Sequence, residues 1–276
     1  SARLLLEKGD AMGRLSGRSC IVTGAAQGIG RAIGEDLLAN GADVCFADIN
    51  SEKIDTVVAA NTELAAQNGG KVIGCTVDVT NREQVRAMIQ KTVGAFGKLD
   101  VKFNNAGVNK PMNFLDVTEE NWHFIMDING LGVLIGCQEA AQQMIAQGTG
   151  GKIINTASIA SRQGYDNVAP YCASKFAVVS LTQSAARDLA KHQITVTGFA
   201  PGVVQTEMWE DVDRDLMEIG ASQRPGQAME EFSNEILKGR VAQPDDIVGT
   251  TTFLASRDSD YMTGQIVMID GGMTLV

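Results

Sequence analysis

Several residue types are scarce in this chain, and each shortage removes a class of protein. The two histidines, His123 and His192, stand far apart with no partners at ligand spacing, so neither a metal centre nor a catalytic imidazole is expected. The five cysteines (Cys20, Cys45, Cys75, Cys137, Cys172) are odd in number and scattered, with no C-x-x-C pair. That excludes a disulfide framework and a zinc knuckle, and suits packed, reduced thiols in a cytoplasmic protein. No apolar run reaches the ~18 residues of a membrane span. Positive charge is short too: 23 Lys+Arg against 33 Asp+Glu leaves −10, a poor match to a nucleic acid. Residues 1–12 hold a short Leu4-Leu5-Leu6 run followed by charges, which lacks the shape of a signal peptide. They read as an N-terminal extension, native or added, ahead of Gly13.

Glycine and short apolar runs are plentiful. Thirty glycines in 276 residues are about 11%, against a usual ~7%. The hydrophobic fraction of 44% is too high for disorder. Strand patterns occur at Cys20–Thr23, Val44–Ala47, Val72–Val77, Val101–Phe103, Lys152–Asn155, Thr195–Thr197 and Ile266–Ile269. Helical patterns separate them, the first from Ile29 to Ala39 with a stop at Asn40-Gly41. Strict alternation predicts an α/β fold, one doubly wound parallel sheet with helices on both faces, over residues 13–276. Residues 206–240 break the rhythm: they are helical in pattern, add no strand, and carry Met208, Trp209, Met217 and Phe232. This insertion reads as a small helical lid over a substrate, or alternatively as a helical pair used in oligomer packing.

Thr23-Gly24-Ala25-Ala26-Gln27-Gly28-Ile29-Gly30 lies between the first strand and the first helix. Glycines there let backbone approach a pyrophosphate, which rests on the positive end of the helix dipole. A tight structural turn would use the same residues. Asp48 closes the second strand, 18 residues after Gly30, and Ile49 follows where a basic residue would hold a 2′-phosphate. A carboxylate there accepts both ribose hydroxyls of NAD and repels NADP. A bare strand-end helix cap is the other reading of Asp48. Asp78-Val79 and Asn104-Asn105-Ala106-Gly107 end the third and fourth strands at the same carboxyl edge, where ligands bind in such sheets.

Tyr171 and Lys175 are four apart at the start of a helical pattern running past Leu189, hence on one face. A free Tyr titrates near ~10, and a neighbouring ammonium favours its phenolate, which makes a working acid/base. Ser158 follows the fifth strand and is placed to hold a substrate oxygen. Asn129 sits in an apolar stretch, where a buried amide needs partners and can order a backbone group and a water for a proton relay. Taken singly, each has a plain structural role as cap, turn or core amide.

In order along the chain, Thr23 to Gly30, Asp78, Asn104 to Gly107, Asn129, Ser158, Tyr171-x-x-x-Lys175 and Pro201-Gly202 resemble the short-chain dehydrogenase/reductase family. The resemblance spans Gly17 to the C-terminus. It implies a seven-stranded Rossmann-type sheet, usually as a homotetramer, acting on a small-molecule alcohol or ketone. It gives Tyr171 the proton exchange, Lys175 the tuning of Tyr171 and the nicotinamide ribose, Ser158 the reacting oxygen and Asn129 the relay. Cofactor contacts are expected from Gly24, Gln27, Gly28, Ile29, Gly30, Asp48, Ile49, Asp78, Val79, Asn105, Ala106, Gly107, Tyr171, Lys175, Pro201, Gly202, Val204 and Thr206. Ser158, Ile159, Tyr165 and Trp209 are the expected substrate neighbours.

Within the family, Pro201 to Trp209 and Asp260 to Met273 resemble butanediol (acetoin) and polyol (sorbitol, galactitol) dehydrogenases. Ile159 departs from the Gln of the butanediol enzymes, and Thr197 from the usual Asn. An NAD-dependent diol or polyol dehydrogenase is therefore expected. A 3-oxoacyl thioester reductase and an NAD-sensing protein without turnover are the alternatives.

Overall fold

The computed structural model describes residues 13–275, so the reading of residues 1–12 as an extension lies outside the described residues. Seven parallel strands stand in the order β3-β2-β1-β4-β5-β6-β7. They are β1 (Ser19–Thr23), β2 (Asp43–Asp48), β3 (Val72–Thr76), β4 (Val101–Asn104), β5 (Gly151–Thr156), β6 (Ile194–Pro201) and β7 (Ile266–Ile269). Each coincides with an expected strand. β6 extends further than its β-branched start suggests, because Gly198 to Pro201 pair with β7. β1, β4 and most of β5 are buried on both faces, and continuous apolar runs are the sequence form of such strands.

Alternate residues of a strand feed opposite cores. Val44 and Phe46 pack on one side with α1 (Gly28–Ala39), α2 (Ser51–Gln67) and α9 (Asp245–Ala255). Cys45 and Ala47 pack on the other with α3 (Arg82–Phe96), α5 (Gly132–Gln147) and α6 (Ala169–Leu189). Burying one large apolar side chain contributes roughly 1.5–3 kcal/mol, and Phe46, Phe103 and Phe199 are all fully buried. α3 and α5 are also tied by charge: the buried Glu139 accepts from Arg82 at 2.7 Å and Arg86 at 3.0 Å. The cysteines are all free, four buried and Cys75 half-buried. Burial pushes the thiols up, Cys45 to about 12 and Cys137 to about 11.

Helix ends follow local chemistry. Asn50 and Asn81 cap α2 and α3 by accepting from Lys53 N and Gln84 N. α1 starts at Gly28, one residue before the expected Ile29, and stops at Asn40 ahead of Gly41, whose φ is +85°. The chain runs from β1 outward to β3, then crosses back to β4. The crevice between β1 and β4, at the strands' carboxyl ends, is the switch point where open α/β sheets take ligands. Between β6 and α9 stand α7 (Glu207–Glu218) and α8 (Gln227–Glu235), with a small core of Val212, Leu216 and Ala228. A parallel bridge, Val204 with Ala242, draws the two stems of this insertion together.

Candidate active site

The strand ends at the switch point are locked by side chains. Thr23 Oγ1 donates to Phe103 O (3.2 Å) and accepts from Asn105 N (3.1 Å). Asn105 Nδ2 donates to Thr23 O at 3.0 Å, and Thr156 Oγ1 donates to Asn105 Oδ1 at 3.1 Å. This holds β1, β4 and β5 in fixed register. A Cβ on Gly30 would stand 2.1 Å from Gly24 O, so the first turn of α1 sits directly on the loop. Gly24 has φ +65°, and a Cβ there would meet Ala106 Cα at 2.8 Å. At the start of α1, Gln27 makes no side-chain cap. Its amides are thus left for another acceptor, which fits a diphosphate.

A cleft of about 420 Å³ runs over this loop. It is lined by every expected cofactor neighbour: Gly24, Gln27, Gly28, Ile29, Gly30, Asp48, Ile49, Asp78, Val79, Asn105, Ala106, Gly107, Tyr171, Lys175, Pro201, Gly202, Val204 and Thr206. Asp48 does not cap α2, since Asn50 does. Its oxygens accept instead from Ala26 N (3.2 Å) and Asn50 N (3.0 Å), which orient the carboxylate. Asp78 Oδ1 is taken by Thr80 N and Oγ1, a turn that leads into α3. Lys53 escaped the sequence reading. It lines the cleft and donates to Gln27, and only folding brings α2 beside the glycine loop.

Ser158, Tyr171 and Lys175 meet at the inner end of this cleft. Tyr171 still meets solvent there, yet neighbouring atoms enclose it, and burial raises its phenol above the usual value; a hydrogen bond with Ser158 works the other way. The buried Lys175 donates to Thr156 O at 2.9 Å, and its Nζ lies 5.5 Å from the centroid of the Tyr171 ring. Loss of water pushes it down to about 8. Asn129 lies beneath rather than in the cleft, on a π-turn, Asp127–Leu131, that joins α5 to α4 (Glu119–Met126). Its amide accepts from Val108 N (2.8 Å) and donates to Val108 O (2.9 Å) and Ser174 Oγ (3.1 Å). It therefore orders the backbone just after Gly107, and Ser174 is a partner the sequence did not indicate.

Ser158 and Tyr171 also line a second cavity, of about 180 Å³, under α7 and α8. Ile159, Tyr165 and Trp209 line it too. Phe232 joins them, edge-on to Tyr165 with centroids 6.2 Å apart and to Trp209 at 5.6 Å. Asn109, Asp166, Asn167, Ser222 and Glu231 complete its polar lining; no motif marked them. Among the described residues no helix is long and apolar enough to cross a membrane.

A family model described as enoyl-(acyl carrier protein) reductase matches residues 24–274. The diacetyl reductase [(S)-acetoin forming] of Staphylococcus epidermidis is 39% identical over 256 residues, covering 93% of this chain and 98% of that protein. The galactitol 2-dehydrogenase of Agrobacterium fabrum is 40% identical over 259 residues, covering 94% and 98%. The crystal structure of a short-chain type dehydrogenase/reductase from Mycobacterium marinum superimposes with a TM-score of 0.84 at 36% identity, covering 95% of this chain and 97% of that one. With its seven-stranded parallel sheet and its glycine loop, the chain belongs to the short-chain dehydrogenase/reductase family.

Proposed function

We propose that this protein is an NAD-dependent oxidoreductase that interconverts a secondary alcohol and its ketone on a small vicinal diol or polyol, of the butanediol/acetoin or sorbitol kind. One observation carries the reading: Ser158 and Tyr171 stand where the cleft that holds Asp48 meets the cavity under α7 and α8. A group at that junction touches both reactants. Bound NAD would supply the hydride acceptor for the carbinol carbon at that junction.

The chain's own residues do the rest. Ser158 Oγ holds the reacting oxygen, and Tyr171 takes its proton in oxidation or returns it in reduction. Lys175 binds the nicotinamide ribose, and its charge offsets the cost of a buried phenolate. Asn129 positions Val108 and keeps the relay ordered. Asp48 would accept hydrogen bonds from the adenosine ribose hydroxyls of NAD, the glycine loop would hold its diphosphate, and α7 and α8 act as a lid that keeps water out. A homotetramer is the expected assembly on family grounds. Asp48 argues against the thioester reductase, which as a rule uses NADPH. The complete set of Asn129, Ser158, Tyr171 and Lys175 argues against a sensor without turnover.

The test is NADH production across a panel of diols and polyols, with wild type and Tyr171→Phe. Wild-type turnover is expected, with a loss of 10²–10⁴-fold in kcat in the variant and retained NADH binding. Full activity of Tyr171→Phe would overturn the mechanism. Tight NAD binding without turnover of any alcohol or ketone would favour the sensor.

A further inference from the structure

The cavity next to Ser158 and Tyr171 has apolar walls and an acidic mouth. Ile159, Val203, Val212 and Leu216 are buried in its walls, whereas Asp166 and Glu231 are exposed at its edge. The two carboxylates come from different elements, Asp166 from the loop between β5 and α6 and Glu231 from α8. Glu235, one turn on, makes a third negative charge felt at Tyr165. Among the described residues no Lys, Arg or His lines the cavity. The arginines of the insertion pair with other carboxylates, Arg214 with Asp211, Arg224 with Glu230 and Arg240 with Asp246; Arg224 also acts on Glu231, but more weakly than on Glu230.

We propose that Asp166 and Glu231 form a charge filter, so that this cavity admits neutral diols, hydroxyketones and diketones and rejects anions such as 2-oxo acids, hydroxy acids and thioesters of phosphorylated carriers. This rests on the cavity being the substrate site. An anion that enters loses its hydration and finds no cationic side chain among the described lining residues. It also approaches against two fixed like charges, and fields of that kind change encounter rates by about 10–10³-fold. Over a Debye length of about 8 Å at physiological salt, charges at the mouth outweigh the chain's diffuse net charge of −10.

Diacetyl and pyruvate test this, because they have the same number of heavy atoms and differ in charge. The quantity to measure is the ratio of their kcat/KM values with NADH, in wild type and in Asp166→Asn/Glu231→Gln. Wild type is expected to prefer diacetyl strongly, and the double variant to lower that preference about tenfold. Raising salt is expected to improve pyruvate but not diacetyl in wild type. Asp166→Glu, which keeps the charge, guards against a fold defect and is expected to retain the preference. A ratio that moves less than twofold in the double variant, or a wild type that reduces both ketones equally, overturns the filter. If neither ketone is reduced, the proposed diketone chemistry fails, and the filter is read from their affinities for the NADH complex by calorimetry. Diacetyl binding tenfold tighter than pyruvate supports it, and equal binding overturns it.

Discussion

Asp48 has both carboxylate oxygens held by backbone amides, Ala26 N and Asn50 N, so its charge stands at a fixed point of the cleft. In the proposed NAD complex, charge-assisted hydrogen bonds to ribose hydroxyls and repulsion of a 2′-phosphate would both depend on that placement. Asp48→Ser is expected to shift the NAD:NADP ratio of kcat/KM toward NADP by about 100-fold, as read from initial rates with each cofactor. Tyr171 gives a second prediction at this scale. Burial raises its phenol, and under the proposed mechanism oxidation needs the phenolate while reduction needs the phenol. The kcat/KM for alcohol oxidation is therefore expected to climb with pH beyond neutrality and that for ketone reduction to fall, in profiles taken over the same range.

Among the elements, β4 carries a cost. Lys102 is fully buried in the sheet, its Nζ donates to Phe103 O at 2.8 Å, and burial pushes it down to about 7. An unfolded lysine titrates near ~10.4. Between those two values the unfolded chain binds more protons than the folded one, so this residue makes stability rise with pH through that window. Lys102→Met is expected to stabilise the protein at pH 7 by roughly 1–3 kcal/mol, with the gain shrinking toward pH 10, in denaturant melts at both values. The pattern Val101-Lys102-Phe103 made β4 legible, but nothing local says that the middle residue is buried on both sides. α1 was legible to within one residue because its end is local chemistry, an Asn-Gly stop. The cap of α2 was not, since Asp48 and Asn50 are both good caps, and the position of Ala26, from another element, settles which role each takes.

At the scale of the whole molecule, the insertion borders the cavity beside Ser158 and Tyr171 and carries its own small core. Phe232 bridges Tyr165 and Trp209, while Val212, Leu216 and Ala228 make a core separate from those of the sheet. Elements held this way open at low cost without global unfolding. Phe232→Ala is expected to raise KM for the alcohol about tenfold while the main thermal transition moves little, as read from steady-state kinetics beside calorimetry.

The sequence by itself determined seven strands, their alternation with helices, the glycine loop and the shared helix face of Tyr171 and Lys175, because these are written in local periodicity and in fixed spacings within one strand–turn–helix unit or one helix; Asn129 and Ser158 joined that pair only through the family resemblance. Only the tertiary structure decided that Asn129 lies beneath the cleft, that Lys53 reaches Gln27, and that Asp166, Phe232 and Glu231 share a cavity with Ser158. Those meetings join segments far apart in the chain, and no local pattern records which side chains a parallel sheet and its insertion bring face to face.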